Sequence, residues 1–511
     1  MAEIASQTSG TPRHHLVLVP GFVGFDALGQ LDYYAGVTQV FDAWNDPANQ
    51  APRRVSIHYF DNFPTASVKL RATRLRGYLA ERIARGEFAP GDTLALIGHS
   101  TGGLDIRRAL FDMAADEAAV LTVDGCCSVR HDEILAMTRR IAFLSVPQYG
   151  TNIADFAYRF SNTIQGLSKD AVVALQLNHG TLGTLRRQLF ALLTSSASNF
   201  VLALCDTLDE SDENPAGTDE QRAREREARF QLTSWLDNIA NDFSIIEDLR
   251  SETPANTADD PKVPPKPKSP AHFSAAERQG ELATWKKYGI KTHTYASRIP
   301  PRDVAVSAFA RRVVAGLHWA SPALDFGAKL LPRGPAKWLF PPLALASEAA
   351  RASEILGLPV LLEVLGRSPG LVFDVFHAAC ADPRGPFRDP DTIAPGSLAP
   401  TFRRLGSTAD VSRTEIAVSD SDGVVNTLSM LWPYDPSDPS AHPVDLVDAD
   451  HGDVIGHFEL KALARPEPGG RRFFAYDFFQ TELKFTQAHF EVLWGSVFDF
   501  CVTDDGAGAA A

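Results

Sequence analysis

The chain has 511 residues, with 44% apolar and 22% charged residues and a formal net charge of −14. That is an ordinary globular composition with room for a core of about 300 residues plus large insertions, and the acidic balance argues against nucleic acid as a partner, which would need a basic face. Five scattered cysteines (Cys126, Cys127, Cys205, Cys380, Cys501) suit neither a disulfide framework nor a CxxC metal site. Met1–Arg13 lacks the basic-then-apolar pattern of a secretory signal, and no apolar run approaches ~20 residues, so the expected location is cytoplasmic with no transmembrane segment.

The first element, His14–Val19, is a short apolar run stopped by Pro20-Gly21, as a buried strand with a sharp exit would be. Arg54–Phe60 alternates like a second strand. Val68, Ala72, Leu75, Leu79 and Ile83 then recur at helical spacing, with Arg and Lys read as the opposite, solvated face. Leu94–Ile97 is again strand-like and runs directly into Gly98-His-Ser100-Thr-Gly102, after which Leu104–Met113 reads as a helix. A serine turned that sharply between strand and helix is strained, and glycines fit where the chain passes close by. The turn exposes the Ser100 hydroxyl at a helix N-terminus, the arrangement of a nucleophile elbow. Ile141–Val146 is a further strand. This alternation predicts an α/β protein with a mostly parallel sheet.

The pattern breaks near residue 158. Asp206–Arg229 carries both charge signs densely, and residues 253–272 contain P-K-V-P-P-K-P-K-S-P, which holds no regular element. A strand returns at Gly289–Ala296, a second interruption follows, Thr414–Val418 looks like a late strand, and Phe485–Phe500 fits a closing helix with Thr486 as N-cap. The expected division is therefore core at 1–157, a first insertion at 158–285, a core strand within 286–299, a second insertion at 300–410, core again at 411–502 and a disordered tail at 503–511. The two insertions would form a mainly helical lid or cap. Cys126-Cys127 reads as part of a loop, with two buried or idle thiols.

A serine hydroxyl becomes a nucleophile at neutral pH only beside a base whose tautomer a carboxylate fixes. The order Ser, acid, His is met by Ser100, Asp422 in Ser-Asp-Ser-Asp-Gly-Val-Val, and His451 in Asp-Ala-Asp-His-Gly-Asp. Asp420 competes for the acid position, and His442 and His457 for the base. The backbone N–H groups of Thr101 and Phe22 are the expected oxyanion donors, one after the nucleophile and one in the loop after the first strand. His99, Tyr149, Trp319 and Trp338 are candidate pocket residues. The tryptophans, with Leu339 and Phe340, read as lining of an acyl pocket or a lid or as the small core of the insertion, the last being favoured for any one of them.

These stretches together resemble the true lipases and related carboxylesterases of bacteria, within the α/β-hydrolase superfamily. Leu16-Val-Leu-Val-Pro-Gly-Phe-Val-Gly-Phe-Asp is similar to the family's oxyanion segment, with Pro20 where histidine is usual. Asp32-Tyr-Tyr-Ala-Gly-Val resembles its D-Y-W-x-G stretch, and Gly98–Arg107 its elbow and helix. Pro147-Gln-Tyr-Gly-Thr-Asn-Ile-Ala-Asp-Phe resembles P-H-x-G-[ST]-x-x-A-D-F, with Gln148 in place of histidine. Tyr288–Ser297 resembles the G-V-R-Y-Y-S-W strand, and Ser421–Val425 and His451–Val454 the acid and histidine loops. The resemblance covers roughly residues 12–160, 286–298 and 414–458, and both interruptions are much longer than a simple lipase lid. It implies an α/β-hydrolase fold and a serine hydrolase acting on a small-molecule ester or a lipid, with no cofactor. The same triad would serve an amidase, lactonase, polyester depolymerase or acyltransferase, and an inactive binding protein of this fold is a further alternative. Many relatives hold a structural calcium through an Asp two residues past the histidine, where Asp453 stands. No second ligand stands at the expected distance before Asp422, so no metal is expected and Asp453 is the one calcium candidate.

Overall fold

The computed structural model describes residues 12–154, 230–250, 273–299, 377–380, 401–464, 472–475 and 485–503, with short gaps inside several of these ranges. The first half runs β1 (His14–Val19), β2 (Ala27–Leu28), β3 (Leu31–Asp32), α1 (Val37–Trp44), β4 (Val55–Tyr59), α2 (Val68–Ala84), β5 (Thr93–His99) and α3 (Thr101–Ala115). It continues through the hairpin β6 (Val120–Val123) and β7 (Cys127–Arg130) to α4 (His131–Met137) and β8 (Thr138–Leu144). Then come α5 (Ile245–Leu249), α6 (Ala275–Tyr288), β9 (Lys291–Arg298), β10 (Thr401–Arg404), β11 (Val411–Ser412), α7 (Thr427–Met430) and β12 (Val444–Asp448). A second hairpin, β13 (Lys461–Ala464) and β14 (Arg472–Ala475), precedes the closing helix α8 (Gln487–Val502).

Eight strands form the central sheet in the order β11-β10-β12-β9-β8-β5-β1-β4. Every neighbouring pair is parallel except β10 with the edge strand β11. The middle strands are continuous apolar runs, as a parallel sheet covered on both faces requires: Leu16–Val19, Leu96, Ile97 and Ile141–Leu144 have no exposed surface. α2 packs on α3, which also meets α4 and α6, while α1 packs on α8. α6 starts with a reciprocal cap in which Ser274 and Glu277 satisfy each other's backbone amides. α8 follows Thr486 at its N-cap, as the sequence predicts. This is the α/β-hydrolase fold. Among the described residues no helix is long and apolar enough to cross a membrane.

Four local readings differ from the structure. Residues 415–417 form a turn rather than a strand, and the neighbouring core strand is Val444–Asp448, whose interrupted Val-Asp-Leu-Val-Asp pattern hides its burial. Asp445 sits inside because Arg403 and His293 pair with it. Thr401–Arg404, within the second interruption of the sequence, is a strand of the central sheet. Arg71 of α2, read as solvated, is fully buried. Cys127 begins a strand and is exposed, so it is not a buried loop thiol.

Candidate active site

Parallel strands aim their C-terminal ends at one edge of the sheet, and Ser100, Asp422 and His451 all stand at that edge. Ser100 lies between β5 and α3 with φ 52° and ψ −129°. Positive φ is costly for a residue with a Cβ. The turn is held because the Ser100 N–H donates to the Leu144 carbonyl at 2.9 Å and its own carbonyl accepts from Gly103 at 3.1 Å. It also requires glycine: a Cβ on Gly102 would lie 2.2 Å from the Val19 carbonyl oxygen. Ser100 and Thr101 therefore stand at the N-terminus of α3, where unpaired amides and the helix dipole favour negative charge.

Asp422 and His451 meet directly. His451 Nδ1 donates to Asp422 Oδ2 at 2.7 Å, and the His451 backbone N–H donates to the Asp422 carbonyl at 3.0 Å. With Nδ1–H committed, Nε2 is the basic atom of the ring. The carboxylate is buried and saturated: Oδ1 accepts from the amides of Val424 (3.0 Å) and Val425 (2.8 Å), and Oδ2 also accepts from Ser297 Oγ at 2.7 Å. Ser145 Oγ lies 2.5 Å from Ser297 Oγ. A carboxylate only accepts, so the Ser297 proton goes to Asp422 and Ser145 must donate to Ser297.

The competitors are engaged elsewhere. Asp420 accepts from the Ala417 amide at 3.1 Å and from Arg298, and burial raises its carboxyl above the usual range. His442 Nδ1 bonds Thr292 at 2.7 Å, toward the opposite end of β9. His457 is buried with Nε2 on the Tyr33 carbonyl at 3.1 Å, and burial pushes its pKa down to about 4. Asp453 accepts from the Asp450 amide at 2.9 Å while Asp450 accepts from Gly452 and Asp453, so the two carboxylates shape the turn after His451. No metal-holding group of three or more His, Cys, Asp or Glu occurs among the described residues.

Phe22 follows β1 and packs edge-on against Phe243, 6.2 Å between centroids. Its loop lies hard against the elbow: a Cβ on Gly21 would come within 2.6 Å of Ser100 Cβ. Arg71 Nη2 donates to the carbonyls of Pro20 and Gly21, each at 2.9 Å, and Arg71 Nε pairs with buried Asp105 at 3.0 Å. In a trans peptide the C=O and the following N–H point in opposite directions. Anchoring the Gly21 carbonyl on Arg71 therefore turns the Phe22 N–H away from α2.

The pocket candidates fare differently. His99 is 1% exposed with both ring nitrogens bonded inside the protein, so it is not a pocket wall. Tyr149 is half-buried, with Arg278 stacked 4.3 Å above its ring. Trp319 and Trp338, with most of both insertions, lie outside the described residues. Sequence reasoning missed Arg71, Tyr33, Ser145 and Ser297. The only signal for Ser297 was a polar residue ending an apolar strand.

No family model matches this chain, and no curated protein matches it in sequence. Among solved structures it is similar to the Staphylococcus hyicus lipase, at 12% identity over 97% of each chain with a TM-score of 0.33. It is also similar to the Bacillus licheniformis lipase BlEst2 in its mature form, at 13% identity over 60% of this chain and 74% of that one, with a TM-score of 0.23. A third is the phospholipase PlaB from Legionella pneumophila, at 12% identity over 56% of this chain and 39% of that one, with a TM-score of 0.26. The structural neighbours of this α/β-hydrolase fold are thus lipases and esterases.

Proposed function

We propose that the protein is a serine hydrolase that cleaves carboxylic esters through an acyl-enzyme. The observation that carries this reading is a strained serine at a helix N-terminus, on the sheet edge that also bears a part-buried histidine bonded to a buried aspartate. In this reading Ser100 Oγ attacks the ester carbonyl while His451 Nε2 takes its proton. Asp422, held by four donors, keeps His451 in the productive tautomer and offsets the charge of the imidazolium. The amides of Phe22 and Thr101 hold the tetrahedral oxyanion, each worth roughly 3 kcal/mol. His451 returns the proton to the leaving alkoxide and then activates water to hydrolyse the acyl-Ser100 ester.

The insertions follow the C-terminal ends of β8 and β9, on the sheet edge that bears Ser100, and they are the natural place for acyl selectivity. Chromogenic esters of increasing acyl length, with Ser100→Ala as the blank, test the proposal. Hydrolysis that vanishes in Ser100→Ala is the expected result. A wild type that neither hydrolyses any of the series nor reacts with a fluorophosphonate overturns it.

A further inference from the structure

Three segments must agree to within a fraction of an ångström for the proposed chemistry: the loop at Gly21–Phe22, the elbow at Ser100 and the loop at His451. They come from distant parts of the chain. A pair of buried side chains outside the triad joins them. The Gly21 N–H donates to Tyr33 Oη at 2.7 Å, Tyr33 Oη lies 2.7 Å from His99 Nδ1, and His99 Nε2 lies 3.1 Å from the His451 carbonyl oxygen.

The proton positions follow from the partners. A carbonyl only accepts, so His99 Nε2 carries a hydrogen. In a neutral ring Nδ1 is then bare and accepts, so the Tyr33 hydroxyl donates to it and its oxygen is left to receive the Gly21 amide. Each bond fixes the direction of the next. Burial holds the His99 pKa well below its usual value, the nearby His451 ring adds to that, and burial raises the Tyr33 phenol. Both groups therefore stay in the protonation states that the bonding pattern demands.

The opposite side of the same peptide is also held. Arg71 takes the Pro20 carbonyl while Tyr33 takes the Gly21 N–H, so the Pro20–Gly21 peptide plane is gripped on both edges. The next amide along, that of Phe22, cannot turn without breaking one of these bonds or the one from Arg71 to the Gly21 carbonyl.

We propose that Tyr33 and His99 are positioning residues, a hydrogen-bonded bridge that sets the oxyanion loop and the backbone of His451 in fixed register about Ser100. The inference rests on the hydrolase reading above. Tyr33→Phe removes one oxygen and keeps the ring. His99→Gln retains an Nε2–H for the His451 carbonyl, and His99→Ala retains nothing.

The experiment measures kcat and KM on p-nitrophenyl butyrate per active site titrated with a fluorophosphonate, together with Tm. Expected are a roughly 10- to 100-fold lower kcat in Tyr33→Phe and His99→Ala, KM within about twofold, and substantial recovery in His99→Gln. A residue that only packs the core would lower Tm and the titrated fraction while leaving kcat per titrated site intact. That outcome, or equal kcat in His99→Ala and His99→Gln, overturns the bridge. A wild type that labels and turns over while Tyr33→Phe matches it sinks this inference alone. A wild type that does neither sinks the hydrolase reading and the inference with it.

Discussion

Both ends of the central sheet carry a histidine–carboxylate pair, and only one has the makings of an active site. Near the strand N-termini, Asp92 Oδ2 lies 3.0 Å from His15 Nε2, and His15 Nδ1 lies 3.0 Å from His58 Nε2. Near the C-termini, Asp422 holds His451 in much the same way, at 2.7 Å. At the first end both nitrogens of His15 are consumed, one by a carboxylate and one by another ring. At the second, one nitrogen of His451 is committed and the other is not part of that pair, on an edge where a strained serine and a helix N-terminus converge. A histidine–aspartate contact is therefore a common way to satisfy a buried ring. Chemistry requires the basic atom to be left over, next to something worth deprotonating.

Substitutions at the two ends should separate these roles. Asp422→Asn keeps the shape but allows the wrong His451 tautomer, and kcat on p-nitrophenyl butyrate should fall roughly 10³- to 10⁴-fold. A fall of less than tenfold would place the acid elsewhere. Ser297→Ala removes one of four donors to Asp422. A hydrogen bond to a charged group is worth about 1.5–3 kcal/mol, so steady-state kinetics should register a loss of ten- to a hundredfold in kcat at nearly constant KM.

The N-terminal cluster should answer in stability alone. Burial, with His15 alongside, pushes the His58 pKa down to about 4. The unfolded chain, with histidine near 6.5, binds that proton first, so this contribution is fully present above about pH 6.5 and is lost as the pH falls toward 4. Urea titrations at pH 7 and pH 5 should show a shallower acid loss in His58→Gln than in the wild type. Asp92→Asn should cost about 1 kcal/mol and leave kcat unchanged; a change in kcat would mean that the two ends are coupled.

The same contrast explains what the sequence reveals. The elbow is legible because its backbone demands glycines at fixed offsets between an apolar run and a helix, and Asp422 and His451 stand in polar turns at the ends of apolar stretches. Arg71 is hidden because a buried arginine on a helix reads as a solvated one until Asp105 and the Pro20 and Gly21 carbonyls are seen around it. Tyr33, in the bend after β3, and Ser297, in β9, are hidden because a buried hydroxyl has no periodicity of its own. β12 escapes notice because Asp445 interrupts its apolar run, and only Arg403 and His293, distant in sequence, explain why an aspartate is tolerated there. Trp319 and Trp338 show the limit of composition, since an aromatic cluster in an insertion can serve either a pocket or a core.

The strand order also dictates when the site can exist. β12 sits between β9 and β10 and leads into the His451 loop, yet it arrives after both of them as the chain is synthesised. The elbow can form on β1, β5 and β8 long before Asp422 and His451 have been made. A nascent chain can therefore hold Ser100 in its turn before the last strand of the central sheet slots into a gap between two others. Non-local pairings of this kind close slowly. On the proposed reading, recovery of p-nitrophenyl butyrate hydrolysis should lag behind recovery of the far-ultraviolet signal of the sheet, which makes turnover a readout of the final insertion step rather than of folding at large.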